Sequence, residues 1–137
     1  MQILQIFNLL LDFGLVILIW MIQLIVYPSF INYTKENLII WHKTYTQRIT
    51  IIVVPLMLGQ LIFSIYKTIT EVEFSALVYL LIVLFLWIVT LIKFAPMHQK
   101  ITNGNFDVKL LISLVHLNWI RTISWTVLFL FSLFTII

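Results

Sequence analysis

The stretch LLISLVHLNWIRTISWTVLFLFSLFTII (residues 110–137) reads as a membrane-spanning helix with an arginine about halfway along it. A span needs about 20 predominantly apolar residues, and this run is longer. Arg121 at the middle of a bilayer costs roughly 2.5–3.5 kcal/mol on insertion scales, so something inside the protein must compensate it.

The rest of the chain supplies the setting. Of its 137 residues, 63% are hydrophobic and 9% charged, with mean hydropathy +1.14. Soluble domains carry about 25% charge. Four apolar segments stand out, at about 3–27, 48–67, 75–95 and 109–136, and lipid admits them only as helices. The expected fold is all-α: one integral membrane domain, an antiparallel four-helix bundle. The absence of cysteine rules out disulfides, thiolate metal sites and cysteine nucleophiles. A formal charge of +3 does not point to nucleic acid, because the basic residues are scattered at segment ends. The first segment lacks a basic start and a small-residue cleavage site, so it is expected to remain as a span.

Loop charge sets the orientation. Lys35, Lys43 and Arg48 lie between segments 1 and 2, and Lys93, Lys100 and Lys109 around the 3–4 connection. KTITEVEF (67–74) carries one lysine and two glutamates. By the positive-inside rule the termini are extracytoplasmic, in a multi-pass protein of the plasma (inner) membrane. Pro28 and Pro96 are expected to close helices 1 and 3, and Pro55 to kink helix 2. Leu38, Ile39, Trp41, Tyr45 and Ile49 suggest that helix 2 begins inside the first connection. TNGNFD (102–107) is expected to turn at Gly104.

On a helical wheel Gln5, Asn8, Asp12, Gln23 and Tyr27 share one arc of helix 1, with Val16 and Ile19 filling its gap. Asn118, Arg121, Thr122 and Trp125 fall at i, i+3, i+4 and i+7 of helix 4, flanked by Trp119. Lipid rejects such faces, so both should look inward, whereas His116 lies nearly opposite. Asp12 is the sole carboxylate within a span. Counted from the inner ends at Tyr27 and Lys109, Asp12 and Arg121 sit at depths of about 22 and 18 Å, so they are expected to pair. Asn8 and Asn118 would be secondary partners. Helix 2 adds His42, Tyr45 and Gln60, and helix 3 reads as an apolar packing partner. Tyr79 fits an interfacial belt.

Buried ionisable groups in a span mark a ligand, proton or substrate site, or else fix helix register. The candidate catalytic residues are Arg121, Asp12, His42 and His98. The candidate ligand-binding residues are Asn8, Gln23, Gln60, Asn118, Trp119 and Trp125. The three histidines match no compact metal spacing. No protein metal site is expected, and no cofactor is specified.

The order LIVYPSF (24–30), WHKTYTQRITIIVVPLM (41–57), FAPMHQKI (94–101) and NWIRTISWT (118–126) resembles the anthrone-oxygenase-like family of small four-helix membrane proteins. Pro28, His42, Pro55, Pro96, His98, Asn118, Trp119 and Arg121 carry the likeness. That resemblance implies an oxidation of a small flat hydrophobic or aromatic molecule without a bound metal. Arg121 would stabilise an enolate or phenolate, Asp12 would hold Arg121, and His42 or His98 would accept a proton. A weaker similarity to the four-helix protoporphyrinogen oxidase family lacks that family's first-helix histidine. Besides an oxidoreductase, the sequence admits a non-catalytic assembly or lipid-interacting subunit and a haem- or porphyrin-linked redox protein. The expected partners are the bilayer and a small hydrophobic ligand, and the pattern is compatible with a homo-oligomer.

Overall fold

A computed structural model describes residues 2–137. Within them the chain forms four helices: α1 (Gln2–Asn32), α2 (Lys35–Glu71), α3 (Phe74–Thr102) and α4 (Val108–Ile136). All four are long and apolar enough to cross a membrane. The connections are short, so consecutive helices run antiparallel. Thr34 starts α2 by accepting from the Asn37 amide (3.3 Å), and Asp107 starts α4 by accepting from the Leu110 amide (3.0 Å). Gly104, at φ +77°, supplies the expected reversal between α3 and α4. Val72 ends α2 in the left-handed region, at φ 44°.

Pro28 and Pro96 do not close their helices. Each follows a single wide turn, Ile22–Val26 in α1 and Thr90–Phe94 in α3, and the helix then continues. The Tyr27 amide reaches back five residues to Ile22, and the Ala95 amide to Thr90. A proline ring clashes with the carbonyl four residues earlier. Widening the turn moves that carbonyl aside, which is how a helix can pass a proline without breaking. This is why both helices overrun their expected ends.

α1 packs against α4 and α2, and α2 against α3. Leu15, Ile19, Phe30, Leu38, Val83, Leu86, Ile101, Leu114 and Leu128 fill the interior. The outer surface is also apolar, with Ile25, Ile51, Ile62, Leu91 and Ile123 exposed. Both inward stripes read from the sequence face inward: Asn8, Asp12, Gln23 and Tyr27 are buried on α1, and Asn118, Arg121, Thr122 and Trp125 on α4. Trp119 is the exception. It is 38% exposed on the flank, where its ring meets Trp20 edge-on at 5.6 Å.

Candidate functional site

The buried polar groups form two knots. In the first, Asp12 is fully buried and receives hydrogen bonds from every helix. Asn8 Nδ2 donates at 3.2 Å, Tyr79 Oη at 2.8 Å, and Gln60 Nε2 and Ser132 Oγ at close range. Trp125 Nε1 extends the knot by donating to Gln60 Oε1 (3.3 Å). Tyr79 is therefore a core ligand of a carboxylate, not an interfacial residue, and α3 is more than an apolar filler.

Asp12 and Arg121 do not pair. Among the described residues the ion pair is Lys67–Glu71, at 3.6 Å. The expected depths fail because Tyr27, not Lys109, marks the level of the arginine, through a 3.3 Å hydrogen bond from Arg121 Nη2 to Tyr27 Oη. Asp12 instead meets Ser132, eleven residues beyond Arg121 and about 16 Å further along α4. The secondary partners do hold: Asn8 bonds Asp12, and Arg121 Nε donates to Asn118 Oδ1 (3.0 Å).

The second knot surrounds Arg121. Its guanidinium lies over the Phe94 ring at 3.9 Å and the Trp125 ring at 5.6 Å. Aromatic faces attract a cation most strongly where water is excluded, so they take the place of the missing counter-ion. Gln23 supports Asn118: its Oε1 accepts from Asn118 Nδ2 and Thr122 Oγ1, both at 2.9 Å, and its Nε2 donates to the Val115 carbonyl (3.0 Å). Arg121 thus uses two of its five donors on protein partners.

From Arg121 a chain of hydrogen bonds runs outward. Tyr27 Oη meets His98 Nε2 at 2.8 Å, His98 Nδ1 meets His42 Nε2 at 2.8 Å, and His42 Nδ1 meets Thr102 Oγ1 at 2.9 Å. Donor counting sets its direction. Tyr27 oxygen already accepts from Arg121, so its own proton goes to His98 Nε2. His98 then carries its proton on Nδ1 and gives it to His42, which carries its own on Nδ1 and gives it to Thr102. The reverse order would leave the buried Tyr27 hydroxyl proton without an acceptor. At 2.8 Å the facing ring nitrogens share a proton.

This chain flanks a cavity of about 450 Å³. Its walls come from α2 (Tyr45, Ile49, Val53, Met57) and α3 (Trp87, Thr90, Phe94, His98), and Tyr27 and Arg121 form its floor. α2 packs against α3 within Phe74–Val89 and again at 95–102, and the cavity lies beside the wide turn that separates those two segments. The wide turn Thr90–Phe94 borders the opening and places Phe94 over Arg121.

Of the candidate site residues, the structure brings Arg121, His98 and His42 together here, with His42 behind His98. Asp12 belongs to the other knot. Asn8, Gln23, Gln60, Asn118, Trp119 and Trp125 do not line this cavity, and all but Trp119 are buried among protein groups. Sequence reading missed Thr102 as the relay terminus, Tyr79 and Ser132 as ligands of Asp12, and Trp87 and Thr90 in the cavity wall. His116 is exposed, as its position on the wheel requires. Comparison with protein-family models, with curated proteins and with solved structures finds no match for this chain.

Proposed function

We propose that this chain is a multi-pass protein of the plasma membrane, with both termini extracytoplasmic, that takes a small flat hydrophobic molecule from the bilayer and removes a proton from it. The observation that carries this reading is the cavity whose floor holds an arginine without a carboxylate beside a tyrosine wired to two histidines. A volume of about 450 Å³ lies within the usual range of small-molecule sites.

In this reading a C–H acid conjugated with a carbonyl gives its proton to the Tyr27 oxygen as Tyr27 passes its own to His98. His98 relays through His42 toward Thr102, next to the connection assigned to the cytoplasmic face. The carbanion is held as an enolate by the free N–H groups of Arg121, a preorganised cation in a dry site. Dioxygen is the oxidant. The enolate carbon bonds to oxygen, the peroxide regains a proton, and loss of water leaves a ketone. In balance, one methylene group and one dioxygen molecule give one ketone carbonyl and one water. The resemblance to the anthrone-oxygenase-like family supports the oxidation, and the cavity supports the proton transfer.

The test is oxygen uptake and ketone formation from anthrone by the protein in lipid nanodiscs. Arg121→Gln and Tyr27→Phe should each lower the rate by about 100-fold or more, in the range of lost oxyanion and acid–base contributions. Activity surviving both substitutions would sink the mechanism.

A further inference from the structure

Among the described residues, two buried side-chain polar atoms have no partner: the indole nitrogen of Trp87 and the hydroxyl of Thr90. Both residues line the large cavity, on one face of α3 at i and i+3. An unmade hydrogen bond at a buried group is costly, and buried indole N–H groups ordinarily find an acceptor. Thr90 also departs from the habit of other threonines in the bundle. Thr46, Thr50, Thr122 and Thr126 each return the hydroxyl proton to the carbonyl one turn back, whereas Thr90, at the start of the wide turn, does not.

We infer that Trp87 and Thr90 form a second polar subsite of the cavity, which binds an acceptor oxygen of a lipid-soluble ligand, a ketone or quinone carbonyl. The indole can only donate, and the threonine hydroxyl can donate beside it, so the matching group is an oxygen with two lone pairs. The rest of the wall is apolar. Ile49, Val53, Val54, Met57 and Leu91 suit a flat hydrocarbon body, and the opening between α2 and α3 gives it a path from the exposed apolar flank. The inference rests on the same cavity as the proton-transfer reading but not on its chemistry.

A matched pair of probes separates the two. Fluorenone and fluorene share one tricyclic skeleton, and fluorenone adds a carbonyl but has no proton to abstract. Binding is measured by equilibrium dialysis against the protein in lipid nanodiscs, with empty nanodiscs subtracted for partitioning. Fluorenone should bind about two- to ten-fold more tightly than fluorene, the worth of one net hydrogen bond. Thr90→Val and Trp87→Phe should each reduce that preference, Thr90→Ser should keep it, and fluorene binding should stay the same throughout. Tyr27→Phe, which is expected to slow proton transfer, should leave the preference intact. Equal binding of the two probes, or a preference that survives both Thr90→Val and Trp87→Phe, overturns the subsite. With dioxygen excluded from the dialysis, fluorene is not converted to fluorenone, and that result leaves the anthrone assay to judge the reaction.

Discussion

Arg121 and Asp12 solve one problem in opposite ways. The cation is held by two aromatic faces and two neutral oxygens, and the anion by four neutral donors from four helices. Neither uses the other. Asp12→Asn turns one acceptor into a donor that faces donors. It should cost about 1–3 kcal/mol of stability, the penalty of a buried unpaired group, read as a lower melting temperature in detergent. The inward polar stripes on α1 and α4 were legible as positions on a wheel, because lipid tolerates neither. The pairing was not, because it needed helix register, and the count along α1 began from Tyr27, taken as an end because of a proline that does not end its helix. Tyr79 was missed because a lone tyrosine in an apolar segment reads equally as belt or core.

At the scale of the elements, the two wide turns decide what the site can be. Each precedes a proline by the same distance, IQLIVYP in α1 and TLIKFAP in α3. They deliver Tyr27 and Phe94 to one guanidinium, the first as a hydrogen-bond acceptor and the second as a ring face. A proline in the sequence announces a disturbance, but whether the helix stops, kinks or widens depends on the packing beyond it. Here the helical continuations carry Phe30 and Ile101 into the core, both fully buried. The turns between helices offer simpler tests. Val72 is a β-branched residue at φ 44° and is 84% exposed, so it carries backbone strain that no packing offsets. Val72→Gly should stabilise by about 1 kcal/mol. Gly104→Ala should do the reverse by a similar amount, because its φ is +77° and the new methyl would meet Ile39 at 3.2 Å. Thermal melts of the two variants, run side by side, check both signs.

For the whole molecule, composition alone announced helices and their number, since 63% hydrophobic residues in four blocks leave few other folds. The cavity was invisible in the sequence. It lies beside the wide turn of α3, where residues of α2, α3, Tyr27 and Arg121 converge, a matter of helix paths and not of residue type. The orientation is testable because the chain has no cysteine. In intact cells a membrane-impermeant maleimide should label Glu73→Cys, while Asn105→Cys should react only after permeabilisation. Labelling of Asn105→Cys in intact cells would invert the topology.

The knot around Asp12 also has a consequence in time. Its ligands beyond α1 lie 48, 67 and 120 residues further along the chain. In the membrane reading proposed above, α1 therefore reaches the bilayer with a carboxylate whose last partner has not yet been synthesised. Until Ser132 emerges, that helix has reason to linger beside the insertion machinery instead of dispersing into lipid. A nascent chain halted before α4 should stay crosslinkable there and be a target for quality-control proteolysis, whereas a chain extended through α4 should not.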